Sequence, residues 1–151
     1  MLSKFKKFVK LSSKEKKLFF EAYVTLGVMR LAILTVSFKH LTNSLNHEAE
    51  KKELKKLSDA DMKTAQQVGK SIIRASLYTP WESNCLAQSL TAHKMLKKRS
   101  VAGVFYLGTM KDKKDGQMKA HSWSQCGENI ITGKPGHEKF TVLSVFGWEK
   151  K

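Results

Sequence analysis

Two residues in this sequence have the type and setting for nucleophilic chemistry. Cys85 follows the turn Pro80-Trp81-Glu82-Ser83-Asn84 and opens a stretch with helical periodicity. A helix start presents unpaired N–H groups and the positive end of the helix dipole, and both favour an anion. The thiolate is the reactive form of cysteine. His121 falls early in Met118 to Cys126, which reads as a strand. By alternation His121, Trp123 and Gln125 share one face of it. A free cysteine is more commonly an inert buried side chain, and a strand histidine is more commonly structural. Together, a cysteine at a helix start facing a histidine on the sheet beneath it form the pairing used in acyl transfer. Trp81 and Asn84 are candidates to shape an oxyanion hole beside the sulfur. Cys126 ends the strand on the face opposite His121 and reads as structural or merely exposed.

Other chemistries lack support. His40, His47, His93 and His137 have no metal-ligand spacing with a cysteine or a carboxylate. There is no Walker loop, no G-x-G-x-x-G and no H-E-x-x-H. The expectation is therefore no metal and no cofactor. Two cysteines without a C-x-x-C pair argue for reduced thiols in a cytosolic setting.

The elements that must position Cys85 and His121 are legible in outline. Ser12 with Glu15 has capping-box spacing and predicts a helix to about Val28. A second helix would follow to about Asn43, after a kink near Gly27. Leu18 to Phe38 is the most apolar run, but Glu21 and Arg30 interrupt it. It reads as a buried helix pair rather than a membrane span. Asn46 to Leu57 is polar, a loop or an exposed helix end, and the domain boundary falls there. Ser58 caps the next helix, which buries Met62, Ala65, Val68, Ile72 and Ala75 and ends before Pro80. Ser83 or Asn84 caps the cysteine helix, which runs to about Lys98 with Leu86, Ser89, Leu90, His93 and Leu96 inward. Four strands follow, Val101–Met110, Met118–Cys126, Asn129–Thr132 and Lys139–Phe146. Asp115-Gly116 marks the first hairpin. Helices followed by an antiparallel sheet make the fold class α+β.

Length and charge bound the rest. The chain has 151 residues, enough for a packed core without disulfides or metals. With 28 Lys+Arg against 13 Asp+Glu its formal charge is +15. Such a charge attracts nucleic acid, anionic membranes or acidic proteins without choosing among them. Lys4 to Lys17 carries seven lysines against one glutamate, interleaved with Phe5, Phe8, Val9 and Leu11. That segment is a solvated first helix or a basic amphipathic segment for a membrane or an acidic partner. Nucleic acid is the weaker partner, because only Phe105 and Tyr106 accompany the second basic cluster, Lys94 to Lys114.

Several stretches in combination carry a resemblance. They are Pro80-Trp81…Cys85-Leu86…Ser89-Leu90…Leu96-Lys97-Lys98-Arg99, Phe105-Tyr106-Leu107-Gly108 and Ala120-His121-Ser122-Trp123. Gly127 to Gly133 and Phe140-Thr141-Val142 extend it. From about Ser58 to Phe146 the chain resembles the lasso-peptide maturation proteases, which have a transglutaminase-like fold. The resemblance implies an N-terminal helical region, 1–57, before a transglutaminase/papain-like core, 58–151, packed as one unit. It implies a cytoplasmic cysteine peptidase, with peripheral contact at the inner membrane face an option. Its substrate would be a lasso precursor peptide that loses its leader, with Cys85 as nucleophile and His121 as base. The chain lacks room for a leader-binding winged-helix module. A separate leader-binding protein and an ATP-dependent, asparagine-synthetase-like cyclase are the implied partners. The alternative is a catalytically inactive basic subunit that binds a membrane surface, nucleic acid or an acidic partner.

The family usually supplies an aspartate on the strand after the histidine. With Gly127-Glu128 as a two-residue turn, Cys126 faces Asn129, Trp123 faces Thr132 and His121 faces Lys134. No carboxylate lies there. Thr132, a backbone carbonyl or Glu138 are the remaining sources of an orienting group.

Overall fold

The computed structural model describes residues 2–43, 46–48 and 56–148. In chain order the elements are α1 (Leu2–Val9), α2 (Ser13–Thr35), α3 (Phe38–Thr42), β1 (Asn46–Glu48), α4 (Asp59–Ser76), α5 (Cys85–Lys98), β2 (Gly103–Lys111), β3 (Met118–Cys126), β4 (Asn129–Thr132), a 3₁₀ turn (His137–Lys139) and β5 (Thr141–Trp148). The strands form one antiparallel sheet in the order β1-β5-β2-β3-β4. Helices α2, α4 and α5 pack together, and α4 and α5 cover one sheet face. This is the α+β class expected.

Local chemistry sets the helix starts. At α2, Ser12 accepts from Glu15 N–H while the Glu15 carboxylate accepts from Ser12 N–H. Ser58 caps α4 by accepting from Asp61 N–H. Such caps are worth about 1 kcal/mol each. Packing sets the rest. Leu18, Phe19, Ala22 and Leu26 of α2 are buried with Ala65, Val68, Ile72 and Ala75 of α4 in the core that also holds Leu90, Met95 and Leu96 of α5. The Arg99 guanidinium grips Glu21 at 3.0 and 2.6 Å, tying α2 to the end of α5, and this bond holds the Glu21 carboxyl below its ordinary range. Gly69 lets α4 approach β4: a Cβ there would stand 2.6 Å from Ile131 Cγ2 and 2.7 Å from the Ile131 carbonyl.

The region before α4 departs from expectation in three ways. Helix α2 runs as one unbroken helix through Gly27 to Thr35, so Leu18 to Phe38 is not a helix pair. Gly27 instead admits the Trp81 ring, 3.0 Å from where its Cβ would be. The apolar run is also not buried throughout. Its outer side chains, Phe20, Val24, Val28, Leu31 and Leu34, are exposed. Within Asn46 to Leu57, the first three residues pair with β5 as a short strand, and 49–55 lie outside the described residues.

The buried histidine of α5 gives the fold an acid limit. His93 packs on the Trp148 ring, centroids 5.0 Å apart, and its Nε2 has no hydrogen-bond partner among the described residues. Burial, helped by nearby Lys97, pushes its pKa down to about 4. In an unfolded chain the group titrates near 6.5. Between those values the unfolded chain binds the proton and the folded one refuses it. Stability should therefore be complete above about pH 6.5 and fall toward pH 4, by on the order of 2 kcal/mol. Urea midpoints measured across that window check this, and His93→Leu should flatten this part of the profile.

Candidate functional site

Cys85 is the first residue of α5, as its sequence setting predicts. Asn84 is the N-cap, and its side-chain oxygen accepts from Ala87 N–H at 3.1 Å. Its carbonyl accepts from Gln88 N–H at 3.0 Å. Among the described residues the N–H groups of Cys85 and Leu86 are then the unclaimed donors of the helix start. The approach to Cys85 is braced by Ser83, the alternative cap candidate, together with Thr79 and Gln88, which sequence reading did not single out. Thr79 and Ser83 share a hydroxyl–hydroxyl bond of 2.8 Å, and Gln88 Nε2 donates to the Ser83 carbonyl at 3.0 Å. Cys85 is half-buried. Trp81 is held by α2. The indole stacks edge-on against Tyr23, 5.2 Å away, and lies on Gly27 of α2. Its Nε1 is buried without a partner among the described residues.

The orientation of α5 over β3 follows from three contacts. Ser89, one turn after Cys85, meets Ser122 hydroxyl to hydroxyl at 3.1 Å. The far end of α5 lies at the Cys126 end of β3. There Trp148 touches His93, its indole donates to Val101 O at 2.8 Å, and Gly103 lies between Trp148 and Cys126. The two elements thus run in the same direction. Cys85 sits about 6 Å along the helix from Ser89, toward the end of β3 that carries His121.

The pairing differs from expectation in one respect. Ser122, not His121, faces α5, and alternation turns His121 to the other face with Trp123. There the imidazole is flanked by the Trp123 ring, 5.9 Å, and the Phe140 ring, 5.1 Å. Among the described residues no hydrogen bond joins the Cys85 sulfur to His121. The imidazole stands, however, at an open strand margin. Strand β4 pairs with β3 only at 124–126, so its ladder ends before His121.

His121 is oriented by a backbone group. Its Nε2 lies 2.7 Å from the Gly133 carbonyl, which is an acceptor only, so Nε2 carries the proton in the neutral ring. Nδ1 then bears the lone pair, and it has no hydrogen bond among the described residues. The other two sources of an orienting group lie elsewhere. Thr132 is buried and bonds Ser124 at 2.6 Å, on the helix side of the sheet. The Glu138 carboxylate is 3.3 Å from His137 Nδ1. The strand register explains the difference. Cys126 does face Asn129, but a bulge between Ser124 and Gln125 makes Ser124, not Trp123, face Thr132. The slip brings Gly133 back against β3. It adopts φ +76°, and a Cβ on it would be 2.4 Å from the Ser122 carbonyl. The sequence signal was the glycine itself, just past a short strand.

Cys126 is fully buried against Gly103, and burial pushes its thiol up to about 12. Burial and the raised thiol together disfavour the reactive thiolate in the folded protein. Among the described residues no group of histidine, cysteine and carboxylate side chains is arranged to hold a metal ion.

A capped helix that starts on a cysteine, laid over an antiparallel sheet with a histidine at the same end, defines the class of transglutaminase-like folds. The Transglutaminase-like superfamily profile matches residues 28–145, and the chain belongs to that superfamily, which often holds cysteine peptidases. The match begins within α2. Neither comparison with curated proteins nor comparison with solved structures returned a match.

Proposed function

We propose that this protein is a cysteine peptidase that removes the leader from a lasso-peptide precursor. The observation that supports the reading is a cysteine at a capped helix start, at the same end of the sheet as a histidine whose Nε2 is held by the Gly133 carbonyl. Superfamily membership supports thiol chemistry. The resemblance of Pro80 to Arg99 and Ala120 to Trp123 supports the substrate class.

In this reading the Cys85 thiolate attacks the carbonyl carbon at the leader–core junction. The N–H groups of Cys85 and Leu86 donate to the oxyanion. His121, protonated at Nδ1 by the thiol, gives that proton to the leaving amine of the core. It then takes a proton from water, which attacks the thioester and frees the leader carboxylate. The step requires a rearrangement that brings Nδ1 to the sulfur, since among the described residues no hydrogen bond joins them. Catalytic hydrogen bonds commonly tighten only once substrate is bound. The N-terminal helices and the core that carries Cys85 and His121 act as one packed unit. A separate winged-helix protein presents the leader, and an ATP-dependent cyclase consumes the freed amine.

The second reading, an inactive interaction subunit, is favoured by the outward turn of His121. One assay separates the two. The protein is incubated with a lasso precursor peptide and a leader-binding winged-helix protein, and products are identified by mass. The peptidase reading expects one cut, leaving a core with a free amine. An intact precursor in the presence of both proteins would overturn it.

A further inference from the structure

The face of the N-terminal helices that the peptidase reading leaves unused has a definite chemistry. On α2, Phe20, Val24, Val28, Leu31 and Leu34 recur at helical spacing along one side and are between 49% and 64% exposed. They span about 20 Å of helix. The charges of α2 beyond Lys17 turn away from this band: Glu21 is held by Arg99 at 2.6 Å, and Arg30 reaches Glu82 at 3.2 Å. Helix α1 continues the surface. Its Phe8 ring packs edge-on against Phe19 and Phe20 at 5.1 and 5.8 Å. Its outer side chains Leu2, Phe5 and Val9 are 78%, 66% and 54% exposed. An apolar cleft of about 750 Å³ opens where α1, α2 and Tyr78 meet. Lys4 lines it, and Lys6, Lys7, Lys10 and Lys16 belong to the same N-terminal segment, none in an ion pair with an acidic side chain among the described residues, whereas Lys14 and Lys17 border a separate cleft with Gln67 and Arg99.

We infer that this face docks the protein on an anionic lipid surface, with α1 and the outer side of α2 lying in the plane of the headgroups. Charge complementarity selects this occupant. Unpaired lysines around an exposed apolar face are the composition of an interfacial helix. A second copy would bring the same lysines against these and be repelled. Helix α2 is long and apolar enough to cross a bilayer. Its inner side is nonetheless committed to α4 and α5 through Ala22, Leu26 and the Glu21–Arg99 pair. Spanning would expose that core, whereas lying on the surface leaves it intact. Each lysine near an anionic leaflet adds to the attraction, and the buried apolar face makes the binding resist salt.

The test is flotation of the full chain with vesicles of phosphatidylcholine, alone or mixed with phosphatidylglycerol, at moderate and high salt. The wild-type protein should float with the mixed vesicles and not with phosphatidylcholine alone, and part of the binding should survive high salt. Replacing Val24→Ser, Leu31→Ser and Leu34→Ser together leaves the charge unchanged and touches no buried side chain. It should weaken binding at least tenfold and abolish the salt-resistant part. Lys6→Glu with Lys7→Glu should weaken it at moderate salt. The inference is overturned if the mixed vesicles do not carry the protein. It is equally overturned if the triple-serine variant binds like wild type, which would reduce the effect to bulk charge. Salt-resistant self-association that the serine substitutions abolish, without flotation, would assign the face to a second copy instead. None of these readouts depends on peptide cleavage.

Discussion

Cys85→Ala protein should cleave the precursor at least about 10³-fold more slowly than wild type and unfold at the same urea concentration. The size follows from the role. Removing a nucleophile leaves only binding and oxyanion stabilisation, which supply the residual rate over water. The unchanged stability follows from place. Cys85 is half-buried at a helix start, and the cap belongs to Asn84, not to the cysteine. Thiol labelling gives an independent readout. Cys126 is fully buried, with its thiol pushed up to about 12, so an alkylating reagent should modify Cys85 alone in the folded protein. The variant should then show no reactive thiol until it is denatured. Wild-type cleavage that persists in Cys85→Ala would remove the peptidase reading, and rapid labelling of folded Cys126 would contradict the core packing.

Gly133→Ala should be the most damaging single-methyl change near the site. The residue needs φ +76°, which costs an L side chain about 1–2 kcal/mol. The added Cβ would also lie 2.4 Å from the Ser122 carbonyl and 2.9 Å from Trp123 Cα, both backbone atoms that cannot swing away. Overpacking of that kind typically costs 1–3 kcal/mol, so a total of about 3 kcal/mol is expected from urea midpoints. Relief of the clash must move Gly133 off β3 and its carbonyl off His121 Nε2. Cleavage should then fall about 10²-fold even where the variant is fully folded, with the loss in kcat rather than KM. Gly116→Ala is the control. It shares the positive φ, +70°, but has nothing within 4 Å of its Cβ position and lies at the hairpin tip. It should cost about 1 kcal/mol and leave cleavage unchanged. Equal effects at the two glycines would mean that backbone strain alone acts, and that the Gly133 carbonyl does not orient His121.

What the sequence by itself determined is local. The Ser12, Ser58 and Asn84 caps were readable because a side chain and an N–H three residues on suffice to make them. Cys85 at a helix start and the β2–β3 hairpin with Asp115-Gly116 were readable for the same reason. So was the α+β class, since periods of 3.6 and 2 separate helix from strand. The tertiary structure alone decided what depends on distant partners. It left the outer face of α2 bare, because an apolar residue looks the same in sequence whether or not another helix covers it. It carried α2 unbroken through Gly27, whose missing Cβ makes room for Trp81. It turned Ser122 rather than His121 toward α5, because strand alternation names two faces without saying which one meets the helix. Finally it placed a backbone carbonyl against His121 where a carboxylate was sought. One extra residue in a bulge shifts every later pairing by one position, and only the packed sheet reveals where that residue lies.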